Sequence, residues 1–324
     1  MFFSNCCECR TTYLGLEHRP QLLDHFAVHE HVRVVQVHND AGHALVDGQD
    51  HLLDGHIAGQ QRPGQGPHGG RKLRTMWQWH RFVDGQALCP GAYAIVLLNT
   101  PITQAPLFQR LWNEAAIRVA ADGGANQLRT QSSCAWPTLI CGDLDSITDD
   151  TQAYFREHDV PIEHIASQCS TDLQKSIQAV EHLEPETLPL VIYGGIGSRL
   201  DHSMHTLHVL SQLAFPTHDV YADAHLRLRP HVLLVTGEGM TCLVTPGTHL
   251  LRHDRRIHGK SCGLLPLGVA AAHIHTQGLE WNLQGEACSL GGFLSTSNHL
   301  VHPDGDVHLT TDAPIYWTIE LQSR

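Results

Sequence analysis

Basic residues are scarce in this sequence of 324 residues: 21 Lys and Arg stand against 33 Asp and Glu, for a formal net charge of −12 at pH 7. A surface that binds nucleic acid needs clustered Lys and Arg to displace the counterions of the phosphates. The sequence contains no such basic stretch. We therefore expect no nucleic-acid partner.

Long apolar runs are also missing. No stretch reaches the roughly 18 apolar residues that a membrane span requires, and the beginning of the sequence lacks the charged segment and apolar run of a secretory signal. We therefore expect no membrane partner and a cytoplasmic protein, in which the ten cysteines would remain reduced thiols.

The familiar phosphate-binding motifs are absent too. The segment "HGKSCG" ends like a Walker A loop, but the first glycine of that motif would fall on Asp254, and the surrounding sequence is typical of strands. The glycine turn at residues 194–197 lacks the G-x-G-x-x-G spacing of dinucleotide-binding proteins. This spacing disfavours one alternative function, a nicotinamide-dependent oxidoreductase on a Rossmann-like sheet.

Histidine, in contrast, is abundant: there are 27, and ten of them precede Arg81. Residues 55–72 are rich in Gly, Gln and Pro, a composition typical of flexible segments. We predict that residues 1–88 are a His-rich, low-complexity extension, flexible and dispensable for folding and turnover. A His-rich metal-binding module is the alternative interpretation of this part.

Two kinds of pattern follow the extension. Residues 89–230 alternate short apolar runs with amphipathic helical segments, which predicts an α/β domain with a parallel sheet and flanking helices. Residues 231–324 contain short apolar runs separated by turn residues and no helical stripe. This pattern predicts an all-β sandwich (jelly-roll-like) or a barrel as a second domain.

Aspartates follow the predicted strands of the first domain. Ligands of open parallel sheets bind beyond the carboxyl ends of the strands. Several aspartates gathered at that edge would repel one another unless a cation lay among them. Mg²⁺ prefers carboxylate oxygens and bridges to phosphates, although single aspartates at these places also serve as turn residues and helix caps. The set comprises Asp122, Asp143, Asp145, Asp172 and Asp201.

A glycine turn leads from the last predicted strand of this domain into a helix. The glycines of "GGIGSRLDH" allow a close approach of the backbone to a ligand, and the amides at a helix N-terminus attract anions. Arg199 adds a planar cation that suits phosphate oxygens. The turn therefore indicates a phosphate site, with Asp201 either holding Arg199 or meeting the metal.

Seven motifs in order resemble the thiamine pyrophosphokinase family of eukaryotic type. They are "ADGGANQL", "CGDLDSI", "STDLQKSI", "GGIGSRLDH", "CGLLPLG", "TQGLEWNL" and "GGFLSTSN", and the resemblance extends from about residue 92 to the end. It implies a homodimer with active sites shared between subunits. It also implies transfer of a pyrophosphoryl group from ATP to the hydroxyl group of thiamine, with Mg²⁺ as cofactor.

The resemblance also implies roles for individual residues. Asp143, Asp145 and Asp172 would be catalytic and hold the metal, and Arg199 would be the fourth catalytic residue. The chemistry of the transfer, apart from the resemblance, calls for a carboxylate that orients the hydroxyl group or takes its proton, and we expect Asp143 or Asp145 in this role. Where the family often has D-Q-D, this sequence has Ser167, Gln168 and Cys169, so two carboxylates are missing. Further Mg²⁺-ATP residues would be Asp122, Gln168, Thr171, Lys175 and Asp201, and the thiamine residues would be Trp281, Ser295, Ser297 and Asn298.

Overall fold

Strands and helices alternate along the first half of the described chain. The computed structural model describes residues 75–77, 93–197, 199–216, 226–229, 231–302 and 304–322. The helices are α1 (Ala105–Glu114), α2 (Gly124–Arg129), α3 (Asp149–Glu157), α4 (Asp172–Leu183) and α5 (Leu200–Ala214). The strands of this half are β1 (Thr75–Trp77), β2 (Ala94–Leu97), β3 (Ile117–Ala121), β4 (Leu139–Gly142), β5 (Ile162–His164), β6 (Leu190–Tyr193) and β7 (Val232–Val235).

The second half consists of strands. No helix is found after α5 in the described residues, and no helix in that part of the chain is long and apolar enough to cross a bilayer. The strands are β8 (Gly239–Val244), β9 (Gly247–Arg252), β10 (His258–Leu265), β11 (Ala272–Gln277), β12 (Gln284–Cys288), β13 (Ser295–His299), β14 (Asp306–Thr311) and β15 (Ile315–Leu321).

One sheet of ten strands runs through both halves. Six strands in the order β7-β6-β2-β3-β4-β5 are parallel to their neighbours. Beyond β7 the sheet continues with β8, β15, β10 and β13, each antiparallel to the one before. The predicted fold class, a parallel sheet with flanking helices followed by antiparallel β structure, is confirmed.

Helices cover both faces of the parallel strands. Every residue of β2, with the sequence AIVL, is buried, as is every residue of β6, with the sequence LVIY. Alternate side chains of β2 point to opposite faces: Ile95 and Leu97 pack with α1, while Ala94 and Val96 pack with α4 and α5. Continuous apolar strands therefore mark the double-sided core that parallel sheets require.

A second sheet of five strands, in the order β1-β9-β14-β11-β12, packs on the antiparallel end of the first. Buried side chains of this sheet, such as Leu251, Ile274 and Leu309, belong to the same core cluster as Leu264 and Trp317 of the long sheet. The alternating burial of β11, in which every second residue is buried, is that of a strand with one face on a core and one in solvent.

Two strands pair across the predicted domain limits. β1 falls within residues 1–88, yet it pairs with β9 in parallel. β7 falls within residues 231–324, yet it pairs with β6 in parallel and completes the parallel part of the sheet. Residues 1–74 and 78–92 lie outside the described residues, so the predicted extension and its alternative as a metal-binding module stay predictions.

Candidate active site

A cavity of about 590 Å³ opens at the carboxyl ends of the central parallel strands. The chain proceeds outward from β2 to β3, β4 and β5, and then returns to place β6 on the other side of β2. Such a reversal leaves a crevice beyond the strand ends, which is the usual ligand site of open α/β sheets. We name this space the rim cavity; its lining includes residues 98–100, 121–123, 143, 168–175, 195–197 and 199, with three histidines of α5.

Three aspartates in the rim cavity form a carboxylate cluster: one oxygen each of Asp122, Asp143 and Asp172 lies within 4.8 Å of the others. Asp122 is buried, and its two oxygens accept hydrogen bonds from the backbone amides of Ser146 (3.1 Å) and Ile147 (3.0 Å). The amide of Asp143 donates to Asp172 Oδ1 at 3.3 Å. These bonds fix the carboxylate cluster without using all of its acceptor capacity.

Gly142 makes the close approach of these carboxylates possible. Its φ of 154° lies in a range that favours glycine. A Cβ at this position would stand 2.8 Å from Cβ of Asp122 and 3.0 Å from Oδ1 of Asp172. The last residue of β4 therefore has to be a glycine for Asp122 and Asp172 to approach Asp143.

A buried lysine partly compensates the charge of the cluster. Lys175, only 2% exposed, places Nζ 3.2 Å from Asp172 Oδ1 and 3.8 Å from Asp143 Oδ2. α4 holds both Asp172 and Lys175 on one face, because residues three apart on a helix are neighbours. The start of α4 is fixed by a capping box, in which the Thr171 side chain accepts from the Gln174 amide and the Gln174 side chain accepts from the Thr171 amide.

The electrostatic environment of Asp122 is unfavourable to its charge. Burial raises the pKa of this carboxyl group, the amides of Ile147 and Ser146 oppose the rise by donating to the carboxylate, and nearby Asp172 adds to the rise. A cation among the three carboxylates would remove this penalty. Lys175 alone leaves the carboxylate cluster with more negative than positive charge.

The glycine turn after β6 forms the opposite wall. The amide of Gly195 donates to Thr100 Oγ1 at 3.1 Å, and the Thr206 hydroxyl donates to the Gly195 carbonyl at 3.0 Å. Arg199, the N-cap of α5, lines the cavity and donates twice to Asp201, at 3.1 and 2.5 Å. Asp201 does not line the cavity. Of its two predicted roles, its position therefore favours holding Arg199 over meeting the metal.

Two other predicted residues of this region have contrasting positions. Gln168 lines the cavity and its amide nitrogen lies 3.5 Å from Asp143 Oδ2. Asp145 lies outside the carboxylate cluster, is exposed, and accepts a hydrogen bond from the Ser146 hydroxyl at 2.8 Å. The backbone of Leu144, with φ of 60°, turns the loop between Asp143 and Asp145. The predicted metal role of Asp145 stays a prediction.

The four predicted thiamine residues lie together in the second half of the chain. Asn298 is buried and clamps the Trp281 backbone: its Oδ1 accepts from the Trp281 amide at 3.2 Å and its Nδ2 donates to the Trp281 carbonyl at 2.8 Å. Nδ2 also lies 3.3 Å from Ser295 Oγ. The Trp281 side chain is 54% exposed, and Ser297 is exposed with φ of 54°. None of the four lines the rim cavity.

Several cavity residues were not predicted from the sequence. Asn99 and Thr100 line the cavity one residue after β2 ends, and the polar pair that follows the apolar run was the available signal. His202, His205 and His208 line it from α5, and His205 Nε2 is hydrogen-bonded to Thr171 Oγ1 at 2.8 Å. Their spacing of three residues, which puts all three histidines on one face of a helix, could have indicated a common position.

Comparisons with known proteins agree on one family. The family described as "Thiamin pyrophosphokinase, catalytic domain" matches residues 108–222, and "Thiamin pyrophosphokinase, vitamin B1 binding domain" matches residues 248–316. Thiamine pyrophosphokinase 1 of Oryza sativa subsp. japonica is 32% identical over 255 residues, which cover 72% of this chain and 89% of the relative. Thiamin pyrophosphokinase 1 of Caenorhabditis elegans is 29% identical over 222 residues, 66% of this chain and 83% of the relative.

Solved structures share the fold. The yeast thiamin pyrophosphokinase structure has a TM-score of 0.65 at 23% identity and covers 78% of this chain and 93% of its own. The structure from Candida albicans has a TM-score of 0.63 at 22% identity, with coverages of 76% and 93%. At these identities the similarity concerns the fold alone.

Proposed function

This chain belongs to the thiamine pyrophosphokinase family and transfers a pyrophosphoryl group from ATP to the hydroxyl group of thiamine, and we propose that the transfer takes place in the rim cavity. The observation that carries this proposal is the carboxylate cluster with a buried lysine beside it. The oxidoreductase alternative finds no support in the comparisons.

The residues of the carboxylate cluster fit a magnesium ion. Three carboxylates within 4.8 Å of one another form the all-oxygen donor set that Mg²⁺ prefers. Lys175 Nζ already occupies a cation position at 3.2 Å from one of them. We propose that Asp122, Asp143 and Asp172 hold the ion, which when bound neutralises charge on the phosphate oxygens.

The remaining cavity residues would position the ATP phosphates and move one proton. Arg199 would exchange its exposed partner Asp201 for phosphate oxygens, and the glycine turn leaves room for the triphosphate. The thiamine hydroxyl oxygen attacks the β-phosphorus, the bond between this phosphorus and the oxygen of the α-phosphate breaks, and AMP leaves. Asp143 or Asp145 would take the hydroxyl proton.

Thiamine would bind at Trp281. An exposed indole suits the aromatic and cationic rings of thiamine by stacking and cation–π attraction, and the residue lies within the segment that matches the vitamin B1 binding domain. Ser295, Ser297 and Asn298 would complete this site. Because these residues do not line the rim cavity of their own chain, we propose a homodimer in which each active site combines residues of two subunits.

Replacing Trp281 with alanine is expected to raise the KM for thiamine about tenfold and to leave the KM for ATP nearly unchanged. Its side chain is half exposed, so the replacement leaves no core cavity. Steady-state kinetics with each substrate varied in turn measures both constants. An unchanged KM for thiamine would remove Trp281 from the site.

Trp281→Ala also tests whether each active site is shared between two subunits. A dimer of one Trp281→Ala subunit and one Asp143→Asn subunit holds one intact composite site, so co-refolding equal amounts should restore about a quarter of the wild-type activity at low thiamine. Separately refolded subunits that are mixed only in the assay serve as the control. No recovery in verified mixed dimers would place both residues in one subunit's site.

We also propose that the reaction takes place in the cytoplasm. The six cysteines among the described residues are all free thiols: Cys134, Cys141, Cys169, Cys242, Cys262 and Cys288. Reduced cysteines are typical of proteins in a reducing compartment. The division into an extension (residues 1–88), a catalytic domain (89–230) and a thiamine-binding domain (231–324) remains part of this proposal.

A further inference from the structure

Trp281 has two neighbours whose chemistry the thiamine site as proposed does not use. The His299 ring lies 5.1 Å from the Trp281 ring, centroid to centroid, with the planes 49° apart. Nδ1 of His299 lies 2.9 Å from Oε2 of Glu280. Because a carboxylate can only accept, Nδ1 carries the proton and donates it to Glu280. An indole, an imidazole and a carboxylate therefore meet at one place on the surface.

The backbone holds this group in place. The amide of Glu280 donates to the carbonyl of His299 at 2.8 Å, and Asn298 bonds both the amide and the carbonyl of Trp281. The His299 side chain is 23% exposed and the Glu280 side chain 55% exposed. The Glu280 carboxylate is thus held by His299, whose ring lies against the indole, and more than half of the Glu280 side chain stays exposed.

A tryptophan alone favours a cationic ring over a neutral one only through cation–π attraction, which is weak at an exposed site. A carboxylate near the indole adds to this preference, because it attracts a cation through Coulomb interaction and gives a neutral ring nothing comparable. The thiazolium ring of thiamine carries a permanent positive charge on its quaternary nitrogen. The neighbours of Trp281 therefore match a charged ring better than a neutral one.

We propose that Glu280 is a specificity-determining residue that favours the positively charged ring of thiamine over neutral rings of the same shape, with His299 as the residue that orients its carboxylate. This inference rests on the proposed thiamine site at Trp281. It adds a charge-based selection to a site whose other predicted residues are aromatic or uncharged.

A second exposed pair of the same chemistry supplies a matched control. His273 Nδ1 lies 2.7 Å from Asp312 Oδ2, with side chains 58% and 57% exposed. Among the ring contacts of the described residues, His273 has no aromatic neighbour. Asp312→Asn thus removes an equivalent histidine-bound carboxylate of the same half of the chain without altering the surroundings of Trp281.

The test is the kinetics of Glu280→Gln at low ionic strength, with thiamine and ATP varied in turn. We expect the KM for thiamine to rise about five- to tenfold, which is what a unit charge a few ångströms away contributes in a half-exposed site. Added salt should reduce the difference between the thiamine KM of Glu280→Gln and that of wild type, because salt screens the charge of Glu280. The KM of Glu280→Gln for ATP should stay unchanged. Asp312→Asn should have the wild-type KM for both thiamine and ATP.

A neutral isostere of thiamine, with carbon in place of the thiazolium nitrogen, separates charge from shape. Its inhibition constant should be the same for wild type and Glu280→Gln. Equal weakening of thiamine and of the isostere would overturn the charge-based role. So would a thiamine KM within twofold of wild type, provided that Trp281→Ala raises it. If neither variant alters the KM for thiamine, the proposed site at Trp281 fails as well.

Discussion

Replacing Asp143 with asparagine is expected to lower turnover by about 10³-fold while the melting temperature stays close to that of wild type. Asp143 is half-buried, follows β4 directly and contributes one of the three oxygens of the carboxylate cluster. Asparagine keeps the shape and the backbone amide that bonds Asp172, but it removes the charge that we propose to bind the metal and to accept the proton. Chromatography of thiamine diphosphate and AMP after incubation with ATP, thiamine and Mg²⁺ measures the turnover.

Asp149→Asn is the matched control for this prediction. Asp149 is an exposed residue in the first turn of α3, so the exchange removes the same charge from the same half of the chain without touching the rim cavity. It should keep turnover near the wild-type value. Normal turnover of Asp143→Asn would exclude this residue from both metal binding and proton transfer.

Replacing Lys175 with methionine is expected to destabilise the metal-free protein by about 2 kcal/mol and to increase its stabilisation by Mg²⁺. The buried ammonium group lies 3.2 Å from Asp172 and 3.8 Å from Asp143, and its loss leaves three carboxylates without a fixed cation. A divalent ion would then meet less repulsion in the carboxylate cluster. Thermal unfolding at a series of Mg²⁺ concentrations, without ATP, measures both effects.

Lys260→Met provides the comparison for the charge change, since Lys260 is exposed on β10. This variant should match wild type in stability and in its response to Mg²⁺. If Lys175→Met is as stable as wild type and responds equally to Mg²⁺, then Lys175 does not balance the charge of the carboxylate cluster.

Much of the first half of the fold could be predicted from residue patterns. The apolar runs of β2 and β6 are continuous, so both faces of these strands had to be buried. The amphipathic patterns of α1 and α4 predicted the helices that cover these faces. Because parallel strands end at one edge, the aspartates after β3 and β4 were expected to meet there, as Asp122 and Asp143 do.

Other features depend on tertiary contacts that no local pattern specifies. The sequence pattern of a half-buried strand does not depend on which sheet the strand joins. The continuation of the parallel sheet by β8, β15, β10 and β13 could therefore not be predicted. The separation of Asp145 from the carboxylate cluster follows from the positive φ of Leu144. Lysine is seldom buried, so only the packing of α4 explains why Lys175 lies inside the site.

The most direct measurement of the central claim is metal binding by the carboxylate cluster. Electron paramagnetic resonance titration of the nucleotide-free protein with Mn²⁺, in place of Mg²⁺, reports the ion bound to the protein as loss of the signal of free Mn²⁺. We predict that Asp143→Asn binds Mn²⁺ at least about tenfold more weakly than wild type, whereas Asp149→Asn binds it equally well. Equal affinity of Asp143→Asn and wild type would contradict a metal site at Asp122, Asp143 and Asp172.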